Sequence, residues 1–153
     1  MTTTTDGPAE SIAILRAKVF SEAANTETAV LDPHDPGGIG PAERLAFAAR
    51  VSRIDGIETT QGRYEARLAK SPISDDLIAI AQGRDPADPR LRAMAEHVDM
   101  LAAHPISARP DHIARLRQAG VCDADIVRLS ELVSFIGYRA RTDVALALLE
   151  TAE

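Results

Sequence analysis

The sequence predicts an all-α fold, a compact bundle of about seven helices. Three observations predict it. Ala, Leu, Arg and Glu, all good helix formers, dominate the chain. Runs that alternate apolar β-branched residues with polar ones, the pattern of a half-buried strand, are missing. Pro, Gly, Asp and Ser fall where helices would start and stop. A length of 153 residues suits one domain. The division expected is a flexible N-terminus over residues 1–8 and a single helical domain over 9–153.

Pro8 fits a first helical turn, and Ile12, Leu15 and Val19 recur at helical spacing, which predicts a helix over about 8–24. From Asn25 to Gly40 the chain holds Pro33, Pro36 and Gly37, Gly38 and Gly40, and reads as a long, mobile surface crossing that carries His34. Pro41 restarts helix. The stretch PAERLAFAARVSRI offers Leu45, Ala48, Ala49, Val51 and Ser52 for close contacts, as a central helix would, and Asp55-Gly56 stops it. Thr59 or Thr60 is the expected cap of the next helix, which carries Arg63, Tyr64, Arg67 and Leu68.

Ser71-Pro72 separates that helix from one capped by Ser74, with Asp75 and Asp76 at its positive end, Leu77, Ile78 and Ile80 on its apolar side, and Gly83 after it. From about Asp88 to Pro105, Leu91, Met94, His97, Val98 and Leu101 mark an amphipathic helix. A short helix opens at Pro110 or Asp111 and ends before Gly120. Asp123 is the expected cap of the last and most apolar element, with Gly137 as a place where it bends or breaks.

Composition removes several classes of function. With 17 basic and 23 acidic residues the net charge is −6, so no broad basic surface is available for a nucleic-acid backbone. Five aromatic residues and no Trp leave few platforms for stacking bases. MTTTTD at the N-terminus carries no signal-peptide pattern and no apolar run approaches a membrane span, so a cytoplasmic chain is expected, without membrane partners. The single cysteine, Cys122, excludes an intramolecular disulfide, a Cys-x-x-Cys pair and a multi-thiolate zinc site. Neither a metal nor a cofactor is expected.

The polar candidates are few. His97 and His104 lie seven apart on one predicted helix, roughly 10 Å along its axis and too far to share a metal. His34 and His112 read as solvated. Cys122 stands at a helix start with no obvious base nearby, which reads as an incidental thiol. Arg139 and Arg141 interrupt an apolar helix, and so need carboxylates, with Glu131, Asp143 or an acid from another helix as internal partners, or else an anionic ligand.

Three segments carry a family resemblance. ERLAFAARVSRIDGIETTQGRYEARL resembles the central helix-turn-helix of the alkylhydroperoxidase D-like and carboxymuconolactone decarboxylase superfamily. LRQAGVCDADIVRLSELVSFIGYRARTDVALAL resembles its C-terminal helix pair, and the segment between is similar to the peroxidase-related branch; together they cover about 41–148. The resemblance implies an all-helical fold that assembles as a trimer or hexamer.

It also implies a relay of Glu, Cys-x-x-Cys and His, in which one thiolate reduces peroxide and the second resolves the sulfenic acid. Aligned on Arg50-Val51 and Asp55-Gly56, those positions are Leu45, Ile57, Thr60 and Tyr64, and a slip of one residue brings Arg63 in place of Tyr64. None supplies the relay chemistry. The resemblance thus implies a non-peroxidatic scaffold, subunit or small-molecule-binding protein, self-assembling or paired with an active homologue. The alternative is a non-redox acid–base enzyme, decarboxylase- or isomerase-like, acting on a small organic acid or lactone, with Tyr64 and Glu58 as catalytic candidates and Arg63 and Arg141 as anion anchors. A third reading, an acidic adaptor for basic partners, rests on net charge alone.

Overall fold

Proline opens the first helix of the computed structural model, which describes residues 8–70 and 72–151. This helix, α1 (Pro8–Leu31), runs past residue 24, where the sequence pattern places its end. The first residues of the expected crossing, from Asn25 on, belong to the helix instead. Thr26 and Thr28 donate their hydroxyls to the carbonyls of Glu22 and Ala24, at 2.8 and 3.1 Å. Leu31, fully buried, ends the helix in the core. Val19, predicted on the apolar side, is exposed. The side chains of Ile12 and Leu15, and the proposed flexible N-terminus up to residue 7, lie outside the described residues.

The crossing therefore shrinks to residues 32–40, and it is pinned rather than mobile. Arg44 reaches back into it, donating from Nε, Nη1 and Nη2 to the carbonyls of Ile39, Val30 and Pro36 at 2.9, 2.8 and 2.9 Å. The Gly38 amide donates to both carboxylate oxygens of Asp125, at 3.0 and 3.2 Å. Gly37 has φ +63°, and a Cβ there would stand 2.6 Å from Asp125 Oδ1. Only glycine permits that backbone at that distance.

Helix α2 (Pro41–Ile54) matches its prediction and is the hub, touching α1, α3 (Glu58–Leu68), α4 (Asp75–Ala81), α5 (Pro89–Ala103) and α7 (Asp123–Thr151). Small side chains make this possible: Ala46, Ala48, Ala49 and Ser52 are buried around Phe47 and Val51, so neighbouring backbones come close. Arg50, also buried, grips both oxygens of Asp99 on α5 at 2.6 Å and donates to the Arg84 carbonyl at 2.8 Å. Asp55 caps the end of α2, and Gly56, at φ +72°, turns the chain.

The turn is tighter than expected. Ile57, not a threonine, is the N-cap of α3, and its carbonyl takes the Gln61 amide, while Thr60 is buried one turn in. Ser74 caps α4 as predicted, accepting from the Leu77 amide, and Asp88, where the sequence places the start of the next helix, caps α5 by accepting from the Leu91 amide. His104 follows the end of α5 at φ −141°, so it shares no helical face with His97. A 3₁₀ turn (Pro105–Ser107) leads to α6 (Pro110–Gln118). Asp123 is the first residue of α7 rather than its side-chain cap, and its carboxylate pairs with Arg117 at 2.7 and 2.9 Å. Helix α7 continues unbroken through Gly137, burying Leu129, Leu132, Ile136 and Ala140. Among the described residues there is no strand, and no helix is long and apolar enough to cross a membrane.

Candidate functional site

Residues 57, 60 and 64 recur at intervals of three and four, which puts all three on one side of α3. Thr60 and Tyr64 are buried, Ile57 is half-buried at the cap, and Leu45 on α2 packs partly buried against the core. Tyr64 is fully enclosed, and its hydroxyl accepts from Arg63 Nη2 at 3.3 Å. The Arg63 guanidinium also lies over the Tyr64 ring, 5.1 Å from its centroid.

Around this pair the charges form a chain across three helices. Arg67 donates to Glu27 of α1 at 2.8 Å; Arg63 lies 3.8 Å from Glu27 and 3.7 Å from Asp143 of α7; Arg139 meets Asp143 at 3.0 Å. Three cations and two anions thus alternate above the phenol. Burial and the Glu27 carboxylate push the Tyr64 pKa up, against the opposing pull of Arg63 and Arg139, so the phenol stays protonated at neutral pH. For Arg63, burial works against the charge, but Tyr64, Glu27 and Asp143 outweigh it and hold the pKa above its ordinary value. Its Nε is buried with no hydrogen-bond partner among the described residues.

The four polar candidates divide. Tyr64 and Arg63 come together. Glu58 stays exposed in the first turn of α3, and Arg141, also exposed, lines a separate cavity of about 340 Å³ with Asp55, Leu101 and Val133. There Asp55 Oδ2 is buried without a hydrogen-bond partner among the described residues; burial raises the Asp55 pKa while Arg141 opposes the shift. A Cβ at Gly137 would stand 2.9 Å from Arg141 Nη1. Gly137 thus leaves room for the guanidinium, which accounts for it without a break in α7. Asp55 entered the sequence reading only as part of a helix stop.

Cys122 does have a carboxylate beside it: its thiol donates to Asp125 Oδ2 at 3.2 Å. Buried His97 lies 3.4 Å from Ser130 Oγ through Nε2 and shares a cavity of about 70 Å³ with Glu96 and His112. Burial, then the charge of His112, lowers its pKa. No group of three or more His, Cys, Asp or Glu side chains among the described residues is placed to hold a metal ion. An open cleft of about 900 Å³ between α1 and α7, lined in part by Arg44 and Arg128, had no counterpart among the sequence candidates.

The helix order and this geometry define an all-α bundle. In particular, the chain is similar to an uncharacterized peroxidase-related protein from Silicibacter sp. TM1040, with a TM-score of 0.73 at 18% sequence identity over 86% of this chain and 69% of that one. At this identity the likeness establishes the fold and not the reaction. No protein-family model matches the sequence, and no curated protein matches it.

Proposed function

We propose that this chain is a non-peroxidatic relative of the carboxymuconolactone decarboxylase and alkylhydroperoxidase D-like proteins, acting as a scaffold, subunit or small-molecule-binding protein. One observation carries the reading: the residues that align with the family's relay are Leu45, Ile57, Thr60 and Tyr64, of which Thr60 and Tyr64 are buried, with Arg63 of the charge chain lying over the Tyr64 ring. The lone thiol of Cys122 sits at the start of α7 without a resolving partner, so a sulfenic acid formed there has no second sulfur in the chain to close on. The test is turnover of an organic hydroperoxide by purified protein with a dithiol reductant. Consumption at the background rate is expected; sustained turnover overturns the reading. The family resemblance extends the proposal to self-association as a trimer or hexamer, or with an active homologous subunit, which the mass in solution tests.

The contact between Arg63 and Tyr64 favours a second reading, acid–base chemistry on a small organic acid. A buried, protonated phenol beside a guanidinium suits a proton donor. Under the scaffold reading, Tyr64→Phe loses one long hydrogen bond, costs about 1 kcal/mol or less in a urea titration, and leaves any processing of organic acids or lactones unchanged. Activity in the wild type that Tyr64→Phe abolishes would establish the acid–base reading instead.

A further inference from the structure

The cleft between α1 and α7 has apolar walls from Ala29, Val30, Ile126, Val127 and Phe135, and its volume of about 900 Å³ is that of a small-molecule site. Its cations are not equivalent. Arg128 bonds Asp125 at 3.0 Å and lies 3.6 Å from Asp35, so its charge is met twice. Arg44 is 3% exposed, donates only to three backbone carbonyls, and touches no carboxylate among the described residues. Arg50, buried just as deeply, holds Asp99 with two bonds. A buried cation with no anion in contact is costly. Burial, reinforced by Arg128, pulls the Arg44 pKa down, while Asp125, Glu131 and Glu43 support the cation only through space.

A guanidinium has five N–H donors. Three of those on Arg44 are engaged, which leaves two for a planar acceptor. We propose that the α1–α7 cleft binds a small amphipathic carboxylate, its apolar body against Val30, Ile126, Val127 and Phe135 and its carboxylate at Arg44. The cleft is lined by none of Leu45, Ile57, Thr60 and Tyr64, and the proposal stands whether or not the chain turns over peroxide.

Octanoate is the probe, with 1-octanol and octylamine as neutral and cationic counterparts, titrated into the full chain by calorimetry with thermal unfolding in parallel. Saturable binding of octanoate, with a rise in Tm, and at least tenfold weaker binding of both counterparts is expected. Val127 is exposed, so Val127→Glu should fold as the wild type does by circular dichroism, and should weaken octanoate at least tenfold by setting an anion on the wall. Glu131→Gln removes a competing anion and should leave octanoate binding equal or tighter. Octanol binding as well as octanoate would reduce the cleft to an apolar groove, and preference for octylamine would make Glu131 the anchor. Unchanged affinity in Val127→Glu would place the ligand elsewhere, and a protein of doubled mass that ignores octanoate would mean a second copy fills the cleft. Each of these overturns the proposal.

Discussion

Asp125→Ala is expected to destabilise the protein by about 3 kcal/mol, because one buried carboxylate serves three partners at once. It receives the Gly38 amide, Arg128 Nη1 and the Cys122 thiol, and so fastens residues 32–40 to the start of α7. Truncation leaves the Gly38 N–H unpaired and Arg128 with only the more exposed Asp35. Asp125→Asn keeps an acceptor and should lose less. The pH dependence has a defined sign. Burial alone would raise the Asp125 pKa, but the hydrogen bonds from Cys122, Gly38 and Arg128 outweigh it and hold the pKa below its ordinary value. A carboxylate depressed in the folded state contributes stability above its unfolded pKa of about 3.9, and loses it as pH falls through the folded value. Urea titrations from pH 7 down to 2 should therefore show a smaller acid-induced loss in Asp125→Asn than in wild type. Parallel curves would refute the assignment.

Phe47→Ala should cost more, about 3–5 kcal/mol. Phe47 is fully buried on α2, the helix that touches five others, and its flanking alanines have no bulk with which to refill the space. For a chain of this length, about 4 kcal/mol lowers Tm by roughly 8–16 °C, measurable by calorimetry. Phe20→Ala on the exposed side of α1 is the control and should change stability by no more than about 0.5 kcal/mol. Equal effects at both positions would remove α2 from the centre of the core.

What the sequence disclosed was local. Pro41, Ser74, Asp88, Pro110 and the Asp55-Gly56 stop act within a few residues of themselves, and each element they mark is found where it was expected. The end of α1 falls beyond its expected place because Pro33, Pro36 and the glycines at 37, 38 and 40 act only from residue 32 on, while Thr26 and Thr28 bond their hydroxyls back along the helix and let it continue to Leu31. The candidate site was half legible for a geometric reason. At about 100° per residue, Glu58 stands roughly 240° around α3 from Tyr64, and Arg139 and Arg141 lie roughly 200° apart on α7. The two arginines therefore serve Asp143 and Asp55 on different sides. The bond from Gly38 to Asp125 joins residues 87 apart, and the cleft is walled by Val30 and Val127. No short-range pattern announces pairings of that separation.

The hold of Arg44 on the Val30 carbonyl also sets how α1 comes undone. Of the described side chains of this helix, only Ala23 and Leu31 are deeply buried, and its principal neighbours are α7 and α2. The guanidinium ties down only its C-terminal end. Opening should therefore travel as a zipper from the N-terminal side and stall at that clamp, so amide protons of α1 should exchange with solvent in a gradient, earliest far from Val30. Those of α2, closed in on all sides, should wait for global unfolding. A gradient of that kind would mark the first helix as a separate foldon whose last held turn, at Val30, also walls the α1–α7 cleft.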